Sequence, residues 1–215
     1  MSEIQQKAIA APQSETVTPC LDRGLPRAGL QRVLLSLFCL CLFTAMLSGC
    51  NLNRASSRIA FMGDSHVEAW SLPRANLGKR GQTTSQMLVR FPGQVLGHGY
   101  QRVIILGGTN DVLLGVSPAT TISNLARMVE LAQSGDVEPT LCEIPPIYRP
   151  GPDYNPQIQS LNSQIADLAA SRHIKLVDYY DPLLNHRSYY SDGVHMNRRG
   201  YFTMERAILQ VEPLF

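Results

Sequence analysis

Apolar runs four or five residues long alternate along most of this chain with longer stretches in which apolar positions recur three and four apart. The first pattern marks buried strands and the second amphipathic helices. Residues 58–62 (RIAFM), 102–106 (RVIIL), 140–144 (TLCEI) and 174–177 (IKLV) read as strands, with a brief further one at 74–77. Residues 82–91, 118–133, 157–171 and 197–211 read as helices. The second of these has Ser117 as its cap and Pro118 at its first position. The third places Ile158, Leu161, Ile165 and Leu168 on one face. Pro145-Pro146 stops the preceding strand and opens a loop over residues 145–156 rich in proline, glycine and tyrosine. Strands alternating with helices predict an α/β fold, a parallel sheet of about five strands with helices on both faces. Ligand crevices in such sheets lie beyond the carboxyl ends of the strands. The segments after 58–62 and 102–106 should therefore share one rim, within reach of the loop after the last strand.

One run breaks this pattern. Residues 33–47 (VLLSLFCLCLFTAML) are 15 uncharged residues in a row, short of the roughly 20 that span a bilayer as a helix. Arg23, Arg27 and Arg32 precede the run and small residues follow it, as in a secretory signal. A buried helix of a soluble domain is the plainer alternative, but nothing polar punctuates the run. Leu47-Ser48-Gly49-Cys50 resembles the bacterial lipobox, which implies lipidation of Cys50 as the first mature residue. Asn51, in place of aspartate, implies sorting to the outer membrane, facing the periplasm. The expected organisation is an N-terminal extension and signal over 1–49, a polar tether over 50–57 and one domain over 58–215. Residues 1–26 are either a mis-set start or a long n-region.

Composition narrows the classes. Across 215 residues the net charge is +2, and no basic cluster is dense enough to argue for nucleic acid. Of five cysteines, Cys20, Cys39 and Cys41 would leave with the signal and Cys50 would carry lipid. Cys142 is left without a disulfide partner and, in an apolar strand, reads as a core residue.

The chemistry concentrates in three glycine-marked segments: Gly63-Asp64-Ser65-His66, Gly107-Gly108-Thr109-Asn110-Asp111 and Asp192-Gly193-Val194-His195. A serine hydroxyl is a weak nucleophile until a base accepts its proton. An imidazole, titrating near neutrality, can do so, and a carboxylate three residues upstream of it can fix its tautomer. Asn110 supplies an amide donor for an oxyanion, a role worth roughly 3 kcal/mol per donor in other enzymes. Together these residues make the parts list for ester hydrolysis through an acyl-enzyme. The sequence Asp64, His66, Glu68 hints at a metal site, but its spacing around a turn would splay the ligands. The G-x-S-x-G elbow of α/β-hydrolases is absent.

These segments, in order, resemble the sequence blocks of the SGNH (GDSL-type) hydrolase family. The stretch from Asn76 to Thr84 resembles the second block, and Gly81 aligns with its oxyanion-hole glycine; Gly78 is the alternative. The resemblance spans residues 58 to about 205. It implies a flavodoxin-like three-layer sandwich, Ser65, His195 and Asp192 as catalytic triad, and Ser65, Gly81 and Asn110 as oxyanion hole, with no cofactor. Small-molecule or glycan esters of short acyl chains are the expected substrates. An O-acetyltransferase acting on envelope polysaccharide and a catalytically silent binding lipoprotein are the alternatives. Two departures stand out. His66 replaces the leucine usual after the serine and is expected to be partly exposed. The stretch between Ser65 and Gly81 is also unusually short, which is feasible but tight for a parallel crossover.

Overall fold

The computed structural model describes residues 58–73 and 75–212. Cys50, the apolar run 33–47 and the tether lie outside the described residues.

Five strands form one parallel sheet: β1 (Ile59–Gly63), β2 (Ala75–Gly78), β3 (Arg102–Leu106), β4 (Glu138–Cys142) and β5 (Lys175–Val177). Their spatial order is β2-β1-β3-β4-β5, the flavodoxin-like doubly wound order, whose direction reverses between β1 and β3. The helices are α1 (Ser65–Glu68), α2 (Thr84–Val95), α3 (Thr109–Leu113), α4 (Pro118–Ser134), α5 (Asn155–Ser171) and α6 (Arg198–Val211).

Alternation along the strands builds two cores. Ala60 and Met62 of β1, with Val103 and Ile105 of β3, pack against Met87, Phe91, Leu125, Met128, Ile158 and Ile165 from α2, α4 and α5. Ile59, Phe61, Ile104 and Leu106 pack on the other face against Met204 and Ile208 of α6, with Val67, Trp70 and Tyr179. The outer layers are therefore unequal, three long helices against one. Cys142 is buried in the second core, and burial pushes its thiol far up.

Several boundaries differ from the sequence expectation, each for a visible reason. Helix α2 continues past Pro92 to Val95, which is fully buried in the core. Burial of the Val95 side chain outweighs the missing N–H. Strand β4 starts at Glu138 and includes Pro139, because β5 pairs only from Thr140 onward. At Pro139 the ladder has a neighbour on one side alone, where proline is tolerated. Helix α5 starts at Asn155, two residues before its expected start. The Asn155 side chain reaches back to Ile147, accepting from its N–H and donating to its carbonyl, both at 2.9 Å. Asn162 does the same for Ile144. These amides stand in for a missing strand and hold the loop after β4 in place. Helices α1 and α3 are too short to show a period in sequence.

The tight first crossover closes through Asn76. Its side-chain N–H donates to the Val67 carbonyl at 2.7 Å and the Trp70 carbonyl at 3.0 Å. One residue of β2 thus caps the end of α1, and the chain needs no longer helix there.

Candidate active site

Ser65 is the first residue of α1, immediately beyond β1, and Asn110 lies in α3, immediately beyond β3. They flank the point where the strand order reverses. Asp192 and His195 come from the loop between β5 and α6. Gly108 makes the turn out of β3: its φ is +122°, and a Cβ there would meet Ile144 at 2.7 Å. Behind Asn110, the buried Asp111 carboxylate accepts from the Thr84 N–H at 2.9 Å and from the Thr84 and Thr121 hydroxyls. This carboxylate binds α2, α3 and α4 into one support.

The three distant residues meet. His195 Nε2 lies 3.1 Å from Ser65 Oγ, and its Nδ1 lies 2.7 Å from Asp192 Oδ2. The other Asp192 oxygen accepts from the backbone N–H of Val194 at 2.9 Å and of His195 at 2.8 Å. Desolvation works against the Asp192 charge, but hydrogen bonds from the His195 backbone and ring and from the Val194 N–H outweigh it. They hold the carboxyl far below the usual range. An ionised Asp192 favours the Nδ1–H tautomer, which leaves Nε2 as the acceptor facing the serine.

Asn110 donates one side-chain N–H to the Gln82 carbonyl at 2.9 Å. Its amide nitrogen is also 3.5 Å from Asp64 Oδ2. Gly81 lies in the turn before α2, at φ +72°, next to Gln82, whose carbonyl accepts from Asn110. Gly78 is already engaged, since its N–H donates to Asn76 Oδ1 at 2.9 Å. Arg90 braces this wall, donating to the Gly63 carbonyl at 2.9 Å and to Gln82 Oε1 at 2.6 Å. The open cleft over Ser65 has a volume of about 500 Å³ and is lined by Asn110, Leu113, Arg149, Pro150, Val194 and the Asp192–His195 pair.

The family model for GDSL-like lipase/acylhydrolases matches residues 46–201. The chain belongs to this family. It is 24% identical over 170 residues to thioesterase 1/protease 1/lysophospholipase L1 of Escherichia coli K12, covering 78% of this chain and 79% of that one. It is 31% identical to the solved GDSL-like lipase of Bacteroides thetaiotaomicron VPI-5482, with a TM-score of 0.66 over 73% of this chain and 88% of that one. The lipase/acylhydrolase of Enterococcus faecalis, at 22% identity, shares the fold, with a TM-score of 0.61 over 71% and 96% of the two chains.

Within this acylhydrolase family pattern, His66 is the departure whose setting the sequence misjudged. It is 1% exposed, not partly exposed. Nδ1 is 3.1 Å from Asp64 Oδ1 and Nε2 is 2.9 Å from the Val194 carbonyl, so both ring nitrogens face acceptors. Only the imidazolium can donate to both. Burial alone would lower its pKa; the Asp64 charge and hydrogen bond, with the Val194 carbonyl, outweigh burial and raise it. His66 thereby clips the serine turn to the residue preceding His195. Because the folded-state value lies above the unfolded one of about 6.5, the charged ring stabilises the fold fully below about pH 6.5. That contribution disappears as the pH rises through the folded-state value. Urea denaturation between pH 6 and 9 should show a loss of stability in wild type that His66→Leu lacks; equal slopes would refute the charged clip.

Asp64 and His66 bind each other, while Glu68 pairs with Arg80 at the surface, so this trio does not converge. The sequence carried a signal for Asp64 and Asp111, as members of the motifs. It carried none for Arg149, a single cation in a loop of prolines and glycines.

Proposed function

We propose that this protein is a serine ester hydrolase acting on short acyl or acetyl esters of small molecules or glycans. His195 Nε2 takes the Ser65 proton as Oγ attacks the ester carbonyl, and Asp192 steadies the imidazolium that forms. The Asn110 side chain, the Ser65 amide and the Gly81 amide hold the oxyanion. The protonated His195 then gives its proton to the departing alcohol. Water, activated by the same imidazole, releases the acid and restores Ser65. Every step uses groups of the chain itself. The observation that carries this reading is the continuous hydrogen-bonded path from Ser65 Oγ through His195 to Asp192.

In this reading Cys50 is lipidated and anchors the domain at the outer membrane, facing the periplasm, through the tether. Nucleic acid is not a partner. The test is turnover of acetyl, butyryl and octanoyl model esters by the purified protein, with and without a glycan acceptor. Acid release is expected to be fastest from the acetyl ester. An octanoyl preference would overturn the short-chain assignment, and acyl transfer outpacing acid release would overturn hydrolysis as the reaction.

A further inference from the structure

Arg149 is an exposed cation on the lip of the cleft that holds Ser65 and His195. Among the described residues it makes no side-chain hydrogen bond or ion pair. Among the described residues, the other titratable side chains lining the cleft, Asp192 and His195, are bonded to each other.

The backbone under Arg149 is firmly tied. The Tyr148 N–H donates to the Gly193 carbonyl at 2.6 Å, which joins this loop to the Asp192–His195 turn. Gly193 has φ +86°, and a Cβ there would lie 2.6 Å from the Arg149 nitrogen. The two backbones approach as closely as glycine alone permits. The Tyr148 hydroxyl accepts from the Asn185 N–H at 2.6 Å and donates to the Leu183 carbonyl at 3.2 Å. Asn155 clamps Ile147 on the preceding side, and Pro150 keeps Arg149 out of the helical region. An unpaired guanidinium is thus carried to the catalytic cleft on a rigid support, fixed to the same turn as the general base.

We propose that Arg149 is a specificity residue that selects esters bearing an anionic group, carboxylate or phosphate, beside the scissile bond. The guanidinium fork matches both oxyanions in a bidentate way and stays charged throughout the working pH range. The proposal rests on the serine hydrolase reading of the same site.

The experiment compares kcat/KM for 4-acetoxybenzoate and 4-acetoxyphenyl phosphate with that for the neutral methyl 4-acetoxybenzoate. Mono-4-nitrophenyl succinate against 4-nitrophenyl butyrate places the charge on the acyl side instead. Wild type should favour at least one anionic ester over its neutral counterpart. In Arg149→Ala that ratio should fall about tenfold, the scale of one charge-assisted hydrogen-bonded contact. Arg149→Glu should lower it further, and Arg149→Lys should retain part of it. Circular dichroism reports folding of each variant. The carboxylate and phosphate arms identify which anion is preferred. A ratio that Arg149→Ala leaves unaltered overturns the proposal. Neutral-ester turnover that persists in Ser65→Ala, or its absence in wild type, instead overturns the parent reading, and the proposal with it.

Discussion

Ser65→Ala is expected to lower turnover of an acetyl ester by a factor on the order of a million, the scale seen when a nucleophile is removed from other serine hydrolases. In the proposed mechanism the Ser65 side chain supplies the attacking atom, and neither neighbour can replace it. Asp64 faces His66 and Asn110, and the His195 ring is held between Ser65 and Asp192. Labelling by a fluorophosphonate probe should vanish with turnover. The fold should survive, because the hydroxyl makes one side-chain hydrogen bond, to His195, and such a bond contributes only about 1 kcal/mol. Mass spectrometry of the labelled protein, with circular dichroism of both forms, makes the check. Labelling that persists in the variant would refute Ser65 as nucleophile. A wild-type protein that refuses the probe, under conditions that label another family member, would favour a silent binding protein.

Asp192→Asn is expected to lower kcat about ten-thousandfold with little change in KM. The substitution separates two jobs of one carboxylate. Oδ1 accepts from the Val194 and His195 backbone N–H groups, and an asparagine carbonyl can still do that, so the turn should hold. Oδ2 accepts from Nδ1 of the ring, and there the amide N–H would donate instead. The ring must then present its Nδ1 lone pair to the amide and keep its proton on Nε2. In that tautomer it cannot receive the Ser65 proton. Steady-state kinetics on an acetyl ester decide the matter. A variant retaining a tenth or more of wild-type kcat would show that the carboxylate does not set the tautomer.

The candidate site was legible in the order of its motifs because two of them sit at strand ends, and a parallel sheet brings the carboxyl ends of its strands to one rim. Ser65 after β1 and Asn110 after β3 follow from topology alone. The three-residue spacing of Asp192 and His195 follows from the reach of a single turn. The surroundings were hidden in proportion to how non-local they are. His66 looked like a surface residue because its acceptors are two residues away on one side and 128 away on the other. Asp111 looked like the end of a motif, yet its partners lie on α2 and α4.

The same division holds for the elements. Periodicity located the long helices and the buried strands, since a face repeating every three or four residues, or a run apolar throughout, needs no knowledge of its partner. Helices α1 and α3, four and five residues long, carry too few positions to repeat. Where α2 ends and where β4 begins were settled by burial of Val95 and by the short reach of β5, against what Pro92 and Pro139 suggested locally. Thus the chain's linear pattern determines the class of fold, the rim on which the reactive groups gather and the chemistry those groups can perform. Tertiary structure alone decides that the His66 ring is buried between two acceptors beside Ser65 and that Arg149 stands unpaired over the cleft. Both depend on groups brought together from far along the chain, and local spacing holds no record of what will pack against a side chain from there.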